Sequence, residues 1–550
     1  MIGATRAKRT DGAGRLLRSL AVGVPLVFLI VVFLYPLASI LITGLSGDTH
    51  PLAAFGDVFA KPSLRGVALF TFWQAIASTL LTLVLAMPAA YVFARYEFPG
   101  RSLLRAAVTI PFVLPTLVVG SAFLAVLGPN GVLGIDLSST IWAILLAHVF
   151  YNYAVIVRTV GGLWANLDPR LEEAARILGA SRWTAFRTIT LPLLRPAIAA
   201  ASSIVFLFTF TSFGVVLVLG NLQFRTIEVE IWRQTMSFLN LPVAAALSVL
   251  QLLAVSLVLL AYSRYQERRA IEQSLAPASS TSRRPQNARE WWVVGGTLSF
   301  TAVLLGTPLA ILTERSLRFG GEWSLAAYTS LGDAADSPLF VPATRAIGNS
   351  LGFALAAMAI ALVVGILAST VIAYKRGAVS TWFDLLLMLP LGTSAVTIGF
   401  GFLVAFDSPI DLRTSPILLP LAHSLIAIPF VVRTVVPVMR TIRSRLREAA
   451  RVLGASPLRA WREVDLPLIA RSGLVAAGFA FAISLGEFGA SAFLVRPERP
   501  TLPVAIFRLL GRPGELNFGR AMALSTILMV LTAVSIMTIE RFRVGEAGEF

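Results

Sequence analysis

Along the chain, predominantly apolar stretches of 19 or more residues alternate with short polar segments. The stretches fall at roughly 20–45, 69–94, 104–128, 139–163, 192–220, 242–264, 291–313, 346–374, 382–406, 415–439, 467–494 and 520–538. Each is long enough to cross a hydrocarbon core of about 30 Å as a helix. The apolar residues run on continuously instead of alternating, so the pattern predicts helices and not a β-barrel. The expectation is an all-α polytopic membrane protein with about 12 transmembrane helices. The first stretch follows Arg6, Lys8, Arg9, Arg15 and Arg18, as a signal peptide would. It is too long for a signal core and ends at no clear small-x-small site, so it is expected to remain as an anchor.

The polar segments reveal an internal repeat. Residues 171–194, LEEAARILGASRWTAFRTITLPLL, and 446–469, LREAARVLGASPLRAWREVDLPLI, match at 14 of 24 positions with an offset of 275 in a chain of 550. The same offset pairs Ala147-His148 with Ala422-His423, Arg158-Thr159 with Arg433-Thr434, Phe213-Gly214 with Phe488-Gly489, and Thr226 with Thr501. The repeat therefore covers a whole half. Six spans per half is an even number, which gives two homologous six-helix halves in parallel orientation, related about an axis along the membrane normal. The expected organisation is a first half at 1–264, a linker at 265–290 and a second half at 291–550. The linker, YQERRAIEQSLAPASSTSRRPQNARE, has no helix-length apolar face and reads as flexible.

Composition agrees: 56% of residues are hydrophobic, 14% are charged, and mean hydropathy is +0.79. A net charge of +17 raises the question of nucleic acid. Its distribution answers no. With both termini placed in the cytoplasm, 31 of the 46 Lys and Arg fall in inner segments and 13 in outer loops. That is the positive-inside bias, with membrane lipids as the partner of the charge. The absence of cysteine excludes disulfides and thiolate chemistry.

The repeated segment predicts two short helices. Asp168-Pro169 supplies an N-cap and first-turn proline, Leu171, Ala174, Ala175 and Leu178 share one face, and Gly179 suits the C-terminal stop. Ser181 can cap a second helix that Leu191-Pro192 closes; the second copy uses Ser456-Pro457. Neither helix can span. A helix resting on lipid headgroups needs amphipathicity, but not the same glycine, Ala-Ala pair and glutamate twice. Small residues beside one carboxylate fit a protein groove.

These residues carry a resemblance. Glu173-Ala174-Ala175…Gly179…Leu191-Pro192 and Glu448-Ala449-Ala450…Gly454…Leu466-Pro467 resemble the EAA loop of permeases in bacterial ATP-binding-cassette importers. The type-1 permease core would cover about 70–264 and 346–539. The resemblance implies that Glu173, Ala174, Ala175, Gly179, Glu448, Ala449, Ala450 and Gly454 form coupling helices docked on two separate ATPase subunits. It also implies an extracytoplasmic solute-binding protein, a multi-pass location in the bacterial inner membrane, and a chain that is not itself an enzyme. No cofactor is expected on this chain, ATP being used by the partner subunits. A Walker A loop needs Gly-Lys-Ser/Thr, and none of Lys8, Lys61 and Lys375 follows a glycine. Fused permeases of this kind resemble those for ferric iron and thiamine. Thr211-Ser212-Phe213, Thr226-Ile227-Glu228 and Ser484-Leu485-Gly486-Glu487 look more like the thiamine type, and both cargoes stay open.

Polar groups inside spans are costly and mark pathway candidates: Ser212 and its counterpart Glu487, and the matched pair His148 and His423. A carboxylate facing a central path would favour a cationic solute, and the histidines would face each other across the pseudo-two-fold axis. The bland alternatives are a structural carboxylate and neutral imidazoles bonding a neighbouring helix. Arg158 and Arg433 lie toward the cytoplasmic ends, where they would snorkel or pair with the coupling region. Outer loops at 221–241 and 495–519, with Glu228, Glu230, Arg496 and Arg499, would meet the binding protein or simply be solvated. No catalytic constellation and no metal-ligand spacing is visible. The rival readings are an ion-coupled secondary transporter with two six-span repeats, which has no use for the duplicated loop, and a membrane-embedded enzyme, which needs clustered acids or a metal.

Overall fold

The computed structural model describes residues 19–46, 52–129, 131–132, 134, 136–221, 223–269, 281–333, 339–374, 377–408, 411–442 and 444–543. The N-terminal basic cluster and linker residues 270–280 lie outside them. Ten described helices are long and apolar enough to cross a membrane. In the first half they are α1 (Ser19–Leu45), α2 (Pro62–Arg95), α5 (Ile141–Asn166), α6 (Arg182–Phe210) and α7 (Leu241–Gln266). In the second half they are α8 (Ala288–Ser316), α9 (Ala343–Tyr374), α12 (Leu418–Thr441), α13 (Trp461–Gly486) and α14 (Glu515–Ile539).

The apolar stretches at 104–128 and 382–406 are not single straight spans. Each is a bent pair: α3 (Arg101–Val113) with α4 (Thr116–Leu127) at 99°, and α10 (Ser380–Gly392) with α11 (Ala395–Ala405) at 97°. In the first pair Leu114 is extended, with ψ 142°. A residue before proline is pushed out of the helical region, and Pro115 follows it. In the second pair the Ser394 hydroxyl accepts the Thr397 N–H at 3.0 Å and starts a new helix. A run of apolar residues has the same composition whether it forms a straight span or one folded back on itself, so the bends are not visible in the hydrophobic pattern.

The halves interlock through their first helices. α1 packs on α7 of its own half and on α11 of the other; α8 packs on α14 of its own half and on α4 of the other. The Tyr35 hydroxyl of α1 donates to the Ala405 carbonyl at 2.9 Å. The Tyr153 hydroxyl of α5 meets Thr301 Oγ1 of α8 at 2.9 Å. Within each half, α2 packs closely on α5, and α9 on α12. Lipid offers no hydrophobic drive for such contacts, so close approach over small residues supplies it. A Cβ on Gly161 would lie 3.1 Å from the Ala90 carbonyl oxygen, and one on Gly365 would lie 2.6 Å from Val431 Cγ1.

One end of the linker departs from the flexible reading. Arg283 pairs with Tyr96 as an isolated parallel bridge. Its N–H donates to the Arg95 carbonyl at 3.0 Å, and its carbonyl accepts the Glu97 N–H at 2.9 Å. Its guanidinium bonds Glu290, with Nη2 2.6 Å from Oε1, and lies 5.5 Å over the Tyr96 ring. Residues 281–287 are therefore fastened to the first half. Polar composition alone did not reveal a partner 185 or more residues away.

Gly365→Leu is expected to wedge α9 from α12 and to destabilise the protein by about 1–3 kcal/mol, as overpacking does. A lowered thermal midpoint in detergent, with Gly66→Leu (open space around its Cβ) unchanged, is the check.

Candidate functional site

Two regions gather the residues singled out in the sequence. The first is a pair of matched tips, one in each half. In the first half a short helix, Arg170–Ile177, is followed by Gly179 at φ +93°. In the second half Ser444–Val452 is followed by Gly454 at φ +82°. A left-handed residue closes each helix, a conformation that only glycine adopts without strain. Asp168 Oδ1 accepts the Arg170 N–H at 2.9 Å, and Ser181 Oγ accepts the Thr184 N–H at 3.1 Å. Ser456 Oγ likewise accepts the Arg459 N–H at 3.3 Å.

The chain does not stop at Leu191-Pro192. The second short helix runs through a π turn, Phe186–Thr190, straight into the membrane part of α6; the second half does the same through Trp461–Asp465 into α13. A proline in the first turn of a helical segment lacks only an N–H that the wider turn leaves free, so the helix continues. Each tip is thus joined rigidly to a membrane-crossing helix. Thr190 on that turn donates to Glu172 Oε2 at 3.0 Å, fastening the tip back to it.

The tips display apolar side chains to solvent. Ile177 and Leu178 are 86% and 88% exposed, and their counterparts Val452 and Leu453 are 88% and 86% exposed. Glu173, Ala174, Glu448 and Ala449 are exposed beside them, with Ala175 and Ala450 partly so. Large apolar groups left open at matched positions mark an interaction surface.

The second region is a matched break in α6 and α13. The hydrophobic pattern predicts spans that continue to 220 and 494. Both helices end earlier, at Phe210 and Gly486, and short helices Gly214–Leu219 and Ser491–Leu494 follow. Gly214 and Gly489 let the broken chain lie against the bends of the folded pairs: a Cβ on Gly214 would sit 2.4 Å from Thr116 Oγ1, and one on Gly489 would sit 2.8 Å from Ala395 Cβ. Gly486 abuts Pro115 of the other half, 2.8 Å from a built Cβ.

Each break is held by the histidine of its half. His148 Nδ1 lies 2.9 Å from Ser78 Oγ, and its Nε2 lies 2.8 Å from Ser212 Oγ. His423 Nδ1 lies 2.8 Å from Ser484 Oγ, and its Nε2 is 3.0 Å from both Glu487 Oε2 and Ser491 Oγ. Glu487 also accepts the N–H groups of Ala490 and Ser491, at 2.9 and 3.1 Å. Its oxygens are thus occupied by the loop they stabilise. The structure does not bring the two histidines face to face; each is buried in its own half's network. Thr226 closes the first break by donating to the Ser212 carbonyl at 2.8 Å.

The segments read as outer loops have interior central parts, while Arg496 and Arg499 are exposed. They form matched short helices, Ile227–Met236 and Leu502–Leu510, with apolar faces buried. Their first N–H groups are taken by hydroxyls of neighbouring spans: Ile227 donates to Thr71 Oγ1 at 3.0 Å and Leu502 to Ser350 Oγ at 2.7 Å. Glu228 is not solvated. It is buried, accepts from Gln251, and accepts from Ser394 of the other half at 3.0 Å. Glu230 pairs with Arg233 and Arg225 at 3.4 and 3.5 Å. The 275-residue offset, which pairs Ile227 with Leu502, was the signal available for these helices. Arg433 lies 3.6 Å from Asp384 and is largely exposed. Among the described residues no three His, Asp or Glu side chains group to hold a metal ion.

A repeated, membrane-crossing helical chain with two matched tips defines a transport permease built of two fused halves. The chain belongs to the family of binding-protein-dependent transport system inner membrane components, whose model matches residues 82–272 and again 337–542. It is a permease of an ATP-binding-cassette importer. Among its relatives is the thiamine transport system permease protein ThiP of Brucella suis, 29% identical over 98% of both chains. ThiP of Escherichia coli is 27% identical over 82% of this chain and 85% of that one. The sulfate transport system permease protein CysT of Escherichia coli is 31% identical over 46% of this chain and 92% of its own length.

The two breaks differ in what removal of the histidine leaves behind. His423→Leu strands a buried carboxylate, whereas His148→Leu frees only two hydroxyls. The expected losses are about 2–3 kcal/mol and about 1 kcal/mol. Glu487→Gln introduced into the His423→Leu background should recover part of the difference, as read from thermal unfolding in detergent.

Proposed function

We propose that this chain carries thiamine into the cytoplasm as the permease of an importer. An extracytoplasmic binding protein delivers the solute, and two separate ATPase subunits supply the energy. The observation that carries the coupling part is the pair of exposed apolar tips, each followed across a short glycine turn by a helix that runs on into the membrane. Movement of an ATPase against a tip is passed as a rigid displacement along α6 or α13 to the break near its other end. Glu173, Ala174, Ala175 and Gly179, with Glu448, Ala449, Ala450 and Gly454, form the docking surface: alanines for close approach, a glutamate for a charged partner, a glycine for the turn. Both termini lie on the cytoplasmic side with the tips, in keeping with the excess of Lys and Arg there.

The cargo reading rests on the end-to-end match to thiamine permeases, and it is thiamine over ferric iron that those relatives support.

ATP-dependent uptake of labelled thiamine by proteoliposomes containing the permease, the co-purified ATPase and the binding protein is the expected result. Uptake of ferric iron alone would replace the cargo, and uptake driven by an ion gradient without ATP would overturn the class. In the same assay Leu178→Asp with Leu453→Asp is expected to abolish ATP-driven uptake. Each leucine contributes about 2 kcal/mol on burial, so each tip should bind its ATPase roughly 30-fold more weakly. Both side chains are exposed in the free chain, so yield and thermal midpoint should not change.

A further inference from the structure

Residues related by a two-fold axis are equidistant from it, so two matched residues can touch only beside the axis. Phe213 and Phe488 are matched by the 275-residue offset, and their rings stack with centroids 5.2 Å apart and planes within 18°. Trp232 and Phe507 are matched by the same offset and meet edge to face at 5.8 Å. Phe488 and Phe507 join the two pairs at 5.6 Å. Each ring therefore lies within about 3 Å of the pseudo-two-fold axis. In a transporter whose repeats are related along the membrane normal, the solute path runs between the repeats on that axis.

The four rings occupy the axis at a definite depth. The membrane part of α6, Leu191–Phe210, is 20 residues long and ends three residues before Phe213. At 1.5 Å per residue that is about 30 Å, close to the thickness of a hydrocarbon core. The stack thus sits toward the membrane face away from the tips. Phe213 and Phe488 both belong to the breaks that end α6 and α13, so movement of a tip reaches the rings directly. His148 and His423, by holding Ser212 and Glu487, fix the residue just before each phenylalanine.

We infer that Phe213 and Phe488, backed by Trp232 and Phe507, are the seal that closes the solute path on the face away from the ATPases, and that the two rings part when the halves open to that face. The inference rests on the importer reading for its direction of opening, but not on the identity of the cargo. Stacked rings suit this task. They exclude water and ions when together, and each pair contributes only about 0.5–1.5 kcal/mol beyond its buried area, so nucleotide binding can part them.

The chain has no cysteine, which makes the test direct. Phe213→Cys with Phe488→Cys, in the complete complex with its ATPase in proteoliposomes, is treated with a short bifunctional thiol reagent, and the linked peptide is quantified by mass spectrometry. Efficient linkage without nucleotide, falling at least fivefold when ATP and vanadate trap the closed ATPase, is the expected result. Equal linkage in both states would overturn the seal. A second reading uses Phe213→Ala, Phe488→Ala and Phe507→Ala together, with trapped labelled sucrose as a probe that is no proposed cargo. Nucleotide-free leakage should rise at least tenfold over the parent. Phe206→Ala with Phe210→Ala, which removes a stacked pair at 5.6 Å within one half, should stay tight. Parent-like retention by the triple variant would also overturn the seal. Should the triple variant fail to assemble, the linkage experiment decides alone. Failure of thiamine uptake by the unmodified complex would sink the cargo and leave both readings of the seal intact.

Discussion

A helix interrupted inside a membrane leaves backbone groups that no water can reach, and the rest of this structure is arranged around meeting that need. α6 and α13 both break within the molecule, and short helices begin again beyond the breaks. The solutions are side chains brought from other elements: Thr226 on the Ser212 carbonyl, Glu487 on the N–H groups of Ala490 and Ser491, Thr71 and Ser350 on the first N–H groups of the buried short helices. Irregular backbone is tolerated at membrane depth only where protein surrounds it. Both breaks also reach the other half, with Phe213 of one stacked on Phe488 of the other and Gly486 against Pro115.

The halves are alike in plan and unlike in chemistry. The same histidine position holds the break in each, but one partner is Ser212 and the other Glu487. The linker fastens its far end to Arg95 and Glu97 of the first half, and a run of rings, Trp183, Phe186, Trp164, Tyr91 and Tyr96, leads from the first tip toward that junction. The described ring contacts include no such run at the second tip, where Leu458 stands at the position matched to Trp183 and Met439 at that matched to Trp164. Fusion into one chain lets the halves diverge in this way, since each site is encoded separately. Interlocking of α1 and α8 across the halves then keeps the unequal partners in register.

Much of the candidate site was legible because it is local or repeated. Glycine at 179 and 454 announced two helix stops, and both carry positive φ. Ser181 and Ser456 announced caps, and both accept the expected N–H. What was not legible depended on partners far along the chain. Glu228 reads as a loop charge until Ser394, 166 residues away, is brought to it. Glu487 reads as a group aimed into a path until His423 and two N–H groups are seen to occupy it.

The sequence by itself determined the number and length of apolar stretches, the duplication, and the type and spacing of residues at the tips, because hydrophobic length, helix capping and an exact offset are properties of neighbouring or matched positions. Only the tertiary structure decided which stretches bend, where α6 and α13 break, and which matched residues approach the axis. An apolar run has the same composition whether straight or folded, and a stacked pair such as Phe213 and Phe488 exists only once two halves of the chain have been packed against each other.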